Sequence, residues 1–207
     1  MAVKLTKNEQ KKQKDQLKQY QRYLPTLQLK KQQLQVVIRQ IEVKIDKIKK
    51  QQQELAATLD NWIAVYNENQ SFPKGKRLED LIQVDFVKKS VGNIAGVAIP
   101  VFDDIKFKKI EYNLELYPLW VDAAVIVLRD LARFDAIIST LTRQVNLLSR
   151  ELRTTSQRVN LFEKVKIPEA RENIRRIGIY LGDQQTTAVV RGKIAKNKLI
   201  TKQKISE

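Results

Sequence analysis

Few residues in this chain are placed to do chemistry. It has no His and no Cys, so an imidazole base, an imidazole ligand, a thiolate nucleophile and a disulfide are all excluded. Gly75-Lys76 lacks the upstream Gly and the following Ser or Thr of a phosphate-cradling loop. Asp and Glu are scattered among lysines, with no metal-ligand spacing. No catalytic, cofactor-binding or metal-binding residue is assigned, and no cofactor is expected. What the chain does carry is positive charge, with 39 Lys and Arg against 23 Asp and Glu over 207 residues, net +16.

That charge is concentrated. Residues 1–50 hold 14 basic and 4 acidic side chains, and residues 191–207 hold 6 and 1. Lys193, Lys196 and Lys198 are candidate contacts within the second segment. A basic end suits an acidic or phosphate-bearing surface, and the plainer reading is solubility. Asn160 and Glu163 stand out for their position beside an apolar stripe, flanking Val159 and Phe162.

The elements that must position these residues are two long helices. Leu17, Tyr20, Leu24, Leu27, Lys31, Leu34, Ile38, Ile41, Ile45, Ile48, Gln52, Leu55, Leu59, Trp62 and Tyr66 alternate steps of three and four. Tyr117, Trp120, Ala124, Val127, Leu131, Phe134, Ile138, Leu141, Val145, Leu148, Leu152, Thr155, Val159 and Phe162 do the same. A sustained seven-residue repeat marks helices that supercoil on a partner. Two matched stripes in one chain predict an antiparallel coiled-coil hairpin, position n lying opposite about 183 minus n. Trp62 is then expected near Trp120. At ~1.5 Å per residue the paired shaft would be roughly 70 Å long, with both basic segments at one end. Space, brace or transmit force is what such a rod does. The seam is expected to include Leu34, Ile41, Ile48, Leu59, Trp62, Trp120, Leu131, Ile138, Val145 and Leu152.

The fold class is thus mainly α, with a small middle domain containing a β-hairpin. The expected parts are an N-terminal coiled-coil helix (1–70), the middle domain (71–116), a C-terminal coiled-coil helix (117–190) and a basic tail (191–207). Pro25 interrupts the first helix without breaking its phase, which predicts a kink rather than a stop. That helix is expected to end near Asn67 to Gly75. Val97, Ile99 and Val101 alternate, as do Ile105 and Phe107, with Asp103-Asp104 between them. This predicts a hairpin over about 94–113 turning at the two aspartates, in a domain capping the far end of the rod. After Phe162 the phase breaks with a five-residue step to Ile167, beside Pro168, predicting a kink or change of register. The tail after Gly192 is expected to fray.

Two stretches are less anonymous. Arg158-Val-Asn-Leu-Phe-Glu-Lys-Val-Lys-Ile-Pro168 resembles the C-terminal helix signature of the D subunit of V-type and archaeal-type rotary ATPases, and Asn93-Ile-Ala-Gly-Val-Ala-Ile-Pro100 resembles that family's central segment. The order of helix, small middle and helix is also the family's. The chain departs from the pattern at Leu5-Thr6-Lys7, which lacks the usual Pro, and at Gln157, where a second Arg is common.

The resemblance implies a non-catalytic central rotor shaft. Its partners would be a hexamer of A and B subunits, the small F subunit of the stalk and the funnel subunit over the membrane ring. It would be cytoplasmic and peripheral to the membrane, with no insertion. Arg158, Asn160 and Glu163 would then contact a hexamer loop or fix the register near Pro168. Rival readings are a basic coiled coil binding nucleic acid and a structural adaptor. Against the first, no known reading helix is recognisable in the basic segments, so no direct nucleic-acid contact is expected.

Overall fold

The computed structural model describes residues 3–60, 78–110, 117, 118 and 120–205. Helix α1 spans Lys7–Asp60. It begins where Thr6 accepts from the Glu9 amide through Oγ1 at 3.3 Å and from the Gln10 amide through its carbonyl at 3.0 Å. A threonine followed three residues later by Glu is the arrangement that satisfies free amides of a first turn. Pro25 lies inside α1, and the helix passes through it unbroken. Strands β1 (Val84–Ile94) and β2 (Val97–Phe107) form one antiparallel pair. Helix α2 (Val121–Leu161) continues through a π-helical turn, Phe162–Lys166, into helix α3 (Ile167–Ile205). Helix α3 extends past Gly192 to Ile205.

The chain divides into two compact units, residues 31–154 and residues 1–30 with 155–207. In the first, α1 and α2 run antiparallel. Leu34, Ile38 and Ile41 of α1 bury together with Leu148 of α2, and Leu141, Val145 and Leu152 pack against them. Gln52, one of two polar breaks in the first stripe, donates to Asp135 Oδ1 of α2 at 2.7 Å. Every stripe position from Lys31 to Leu59 and from Trp120 to Leu152 is at least half-buried, including Ile48, Leu59, Leu131 and Ile138.

The hairpin corrects two expectations. Its turn is Ala95-Gly96, and Asp103 and Asp104 lie inside β2. Both turn residues have positive φ, 51° and 80°, the two-residue geometry whose twist matches a strand pair. Asn93 Oδ1 accepts from the Gly96 amide at 3.0 Å and closes the turn. The aspartates are used as strand residues: Ser90 Oγ donates to Asp103 across the pair at 2.8 Å, and Asp104 reaches α2.

Nor does the hairpin cap one end of the helix pair. Ile94, Ala95, Val97, Ile99 and Val101 pack into the Leu34–Leu148 cluster, so the ribbon lies along the helices. An isolated two-stranded ribbon is marginal in water, and an apolar face laid on a helix supplies what it lacks. A second cluster, Leu81, Tyr117, Val121 and Val125 with Ile82, Ile110 and Trp120, surrounds the start of α2. Trp62, its expected neighbour, lies outside the described residues, as does the expected end of the first helix.

In the second unit α1 and the α2–α3 segment also run antiparallel. Tyr20 stacks on Phe162 with centroids 5.3 Å apart, and a Cβ on Gly178 would lie 3.3 Å from Gln10 Nε2. Thr155, Val159, Ile167, Ala170 and Ile177 are buried.

Candidate functional site

Three surfaces carry the side chains that could act on a partner. The first is the stretch from Arg158 to Pro168. Val159, 4% exposed, turns toward the seam, and its neighbours Arg158 and Asn160 face solvent. Glu163 sits in the π-helical turn and Pro168 in the first turn of α3, both exposed. These four candidates share three consecutive turns. A bidentate ion pair follows them: Arg175 donates to both oxygens of Glu172 at 2.9 Å and Arg176 Nε donates to Oε1 at 3.1 Å. Those two guanidinium groups hold the Glu172 carboxyl at about 2, well below its ordinary 4.5.

The second surface is the far part of α3, with Lys193, Lys196 and Lys198 exposed. From Pro168 to Lys193 the helix rises roughly 40 Å at ~1.5 Å per residue, so the two candidate groups lie far apart along it. Every side chain from Gly182 to Thr201 is exposed. Among them are Val189, Val190, Ile194, Leu199 and Ile200, each at least 43% exposed. At ~100° per residue these five scatter around the axis, interleaved with Arg191 and the three lysines. A helix that packs on one neighbour shows a single apolar stripe; this one shows none.

The third surface is the row that fastens the hairpin to α2, which the heptad pattern does not reveal. Gln144 is 6% exposed, and its Nε2 donates to the Pro100 carbonyl. Arg133 donates to Asp104 Oδ1 at 3.1 Å. The Arg129 guanidinium lies 5.8 Å from the centre of the Phe107 ring. The amide of Ile105 and the Arg133 guanidinium together draw the Asp104 carboxyl below its ordinary value. The available signal was a polar row beside the stripe, Thr140 and Gln144 at a spacing of four. Thr140 is 1% exposed and returns its hydroxyl to the Ala136 carbonyl at 2.8 Å.

Among the described residues no cluster of three or more acidic side chains is arranged to hold a metal ion. No helix among them is long and apolar enough to cross a membrane.

The family model for the D subunit of ATP synthase matches residues 9–197. A V-type ATP synthase D subunit from Borreliella burgdorferi is 52% identical over 204 residues, covering 99% of this chain and 98% of that one. Those of Chlamydia trachomatis serovar L2 and Chlamydia muridarum are 34% and 32% identical, each covering 95% of this chain and 96% of their own length. Two phase-locked helices, a short ribbon fastened along them and a match over nearly the whole length agree: the chain belongs to the D-subunit family of V-type ATP synthases.

Proposed function

We propose that this chain is the central-stalk rotor shaft of a V-type rotary ATP synthase. It carries torque between ATP hydrolysis or synthesis in a hexamer of A and B subunits and ion translocation in the membrane ring. It catalyses nothing itself. The small F subunit and the funnel subunit over the ring complete its contacts, and it works in the cytoplasm, peripheral to the membrane. The parts of the shaft are residues 1–70, 71–116, 117–190 and 191–207.

The observation that carries this reading is the far part of α3, exposed on every side with apolar and basic residues mixed around its axis. A partner on one side would leave apolar groups in water on the other. A ring that encloses the helix covers them all, and an even mixture offers no single face on which rotation would lock. Arg158, Asn160, Glu163 and Pro168 are then contacts for a surrounding loop, and Lys193, Lys196 and Lys198 meet acidic groups of the enclosing ring.

The test is affinity capture of the tagged chain from its own cells at moderate salt, with partners weighed by mass spectrometry. Recovery of A, B and F subunits supports the shaft. Recovery of nucleic acid alone, released at high salt, overturns it. Neutralising Lys193, Lys196 and Lys198 together to Gln should reduce assembly with the hexamer; unchanged assembly and unchanged rotation would remove those lysines from the reading.

A further inference from the structure

The turn that joins α2 to α3 has a cause and a consequence. Seam positions Thr155, Val159 and Phe162 are followed, after five residues, by Ile167, Ala170, Ile174 and Ile177. In an uninterrupted α-helix one extra residue rotates everything downstream by roughly 100°. Ile167, Ala170 and Ile177 would leave the seam. They are instead 8%, 3% and 0% exposed. The extra residue is absorbed in the π-helical turn Phe162–Lys166, where the Ile167 amide donates to the Phe162 carbonyl, five residues back. Glu163, Lys164 and Val165 face solvent.

Pro168 fixes the position of this turn. Proline has no amide hydrogen, and its ring collides with the carbonyl four residues back in a regular helix. A turn already opened to five residues gives it room. On one side of the turn Phe162 is stacked on Tyr20, and on the other Ile167 is buried. Beside it a cleft of about 460 Å³ opens among Tyr20, Gln13, Gln16, Lys166, Glu169 and Asn173. The turn is therefore held on the seam at both sides, lacks an amide donor at Pro168, and is open to solvent at Glu163, Lys164 and Val165.

We propose that Phe162–Lys166 is a fixed torsional joint, at which α3 twists about its axis relative to the end of α2 while the seam on each side stays buried. Its use in rotation rests on the shaft reading; its existence does not. A chain with one residue fewer and no proline would run as one stiff helix with its heptads in phase.

The experiment compares the full-length wild type with a variant that lacks Lys164 and carries Pro168→Ala. In the isolated chain, wild-type amides of residues 163–167 should exchange at least tenfold faster than those one turn to either side. In the variant that difference should vanish without a fall in melting temperature. In the assembled ATPase complex the variant should turn over ATP at least threefold more slowly. Wild-type amides as protected as their neighbours would overturn the joint. A variant with slowed exchange and unchanged turnover would overturn its role. Pro168→Ala alone keeps the extra residue, so most of the fast exchange should survive in it; complete loss of fast exchange there would also overturn the proposal. Failure of the wild-type chain to enter any complex strikes the shaft reading instead and leaves the exchange result standing.

Discussion

Leu148→Ala tests the finding that the ribbon lies on the seam. Leu148 is 0% exposed, in one cluster with Leu34, Ile38 and Ile41 of α1 and with Ile99 of β2. Truncation removes three carbon atoms from a site closed from both directions. Buried Leu→Ala changes cost about 2–5 kcal/mol, more where the surroundings cannot collapse. Here the walls are two helices and a ribbon held by Gln144 and Arg133, so the middle of that range, about 3 kcal/mol, is expected. For a chain of this size each kcal/mol lowers the melting temperature by about 2–4 °C, giving a fall of roughly 6–12 °C. Urea titration followed by circular dichroism measures the loss, with Ile126→Ala, at a site 61% exposed, as the control expected to change little. Hydrogen exchange at Ile94–Val97 reports the ribbon and should accelerate together with Leu34–Ile41. A loss below about 1 kcal/mol, or faster exchange in the helices with none in the ribbon, would refute this packing.

Three further outcomes follow from single features. Gly96→Ala should destabilise the ribbon by about 1 kcal/mol through backbone strain alone, because φ is +80° and a Cβ there meets nothing within 4 Å; Ala95→Asn should act in the opposite direction, and exchange at Asn93–Val97 reads both. Gly182→Ala should raise the stability of α3 by about 0.5–1 kcal/mol, since it too meets nothing within 4 Å; a stabilised chain that no longer assembles would show that a partner approaches the backbone there. Glu172 has its carboxyl lowered from 4.5 to about 2 by Arg175 and Arg176, so its contribution to α3 is complete above about 4.5 and is lost as the pH falls through about 2. The helicity difference between wild type and Glu172→Gln should therefore be present at neutral pH and shrink across that window. The pair is exposed, so molar salt should shrink it too.

The two helices, their antiparallel sense and their register are all legible in the order of residues. Periodicity is a local property, and a stripe that keeps step for many turns leaves one face to bury. Tyr20 against Phe162 and Leu34 with Leu148 both satisfy the 183-minus-n expectation within one residue. Gln52 bonds Asp135, about one turn beyond the expected partner. The five-residue step before Ile167 likewise announced a change in the helix, and the π-helical turn is its form. The family could also be read there, in the residues around Asn160 and Pro168.

The ribbon is set by packing rather than by local pattern. Asp103-Asp104 carries a turn signal, but Ala95-Gly96 closes the hairpin, because a turn there lets Ile99 and Ile105 face inward while Asp104 meets Arg133. Ala95 is a poor residue for positive φ, and no local rule selects it; its packing among Leu34, Ile38 and Leu148 does. Gln144 reads as polar surface beside a stripe, and is buried because a second layer arrives from forty residues away in the chain. Local spacing determines which face of a helix needs a partner, whereas a polar side chain's burial depends on what the rest of the chain brings to it.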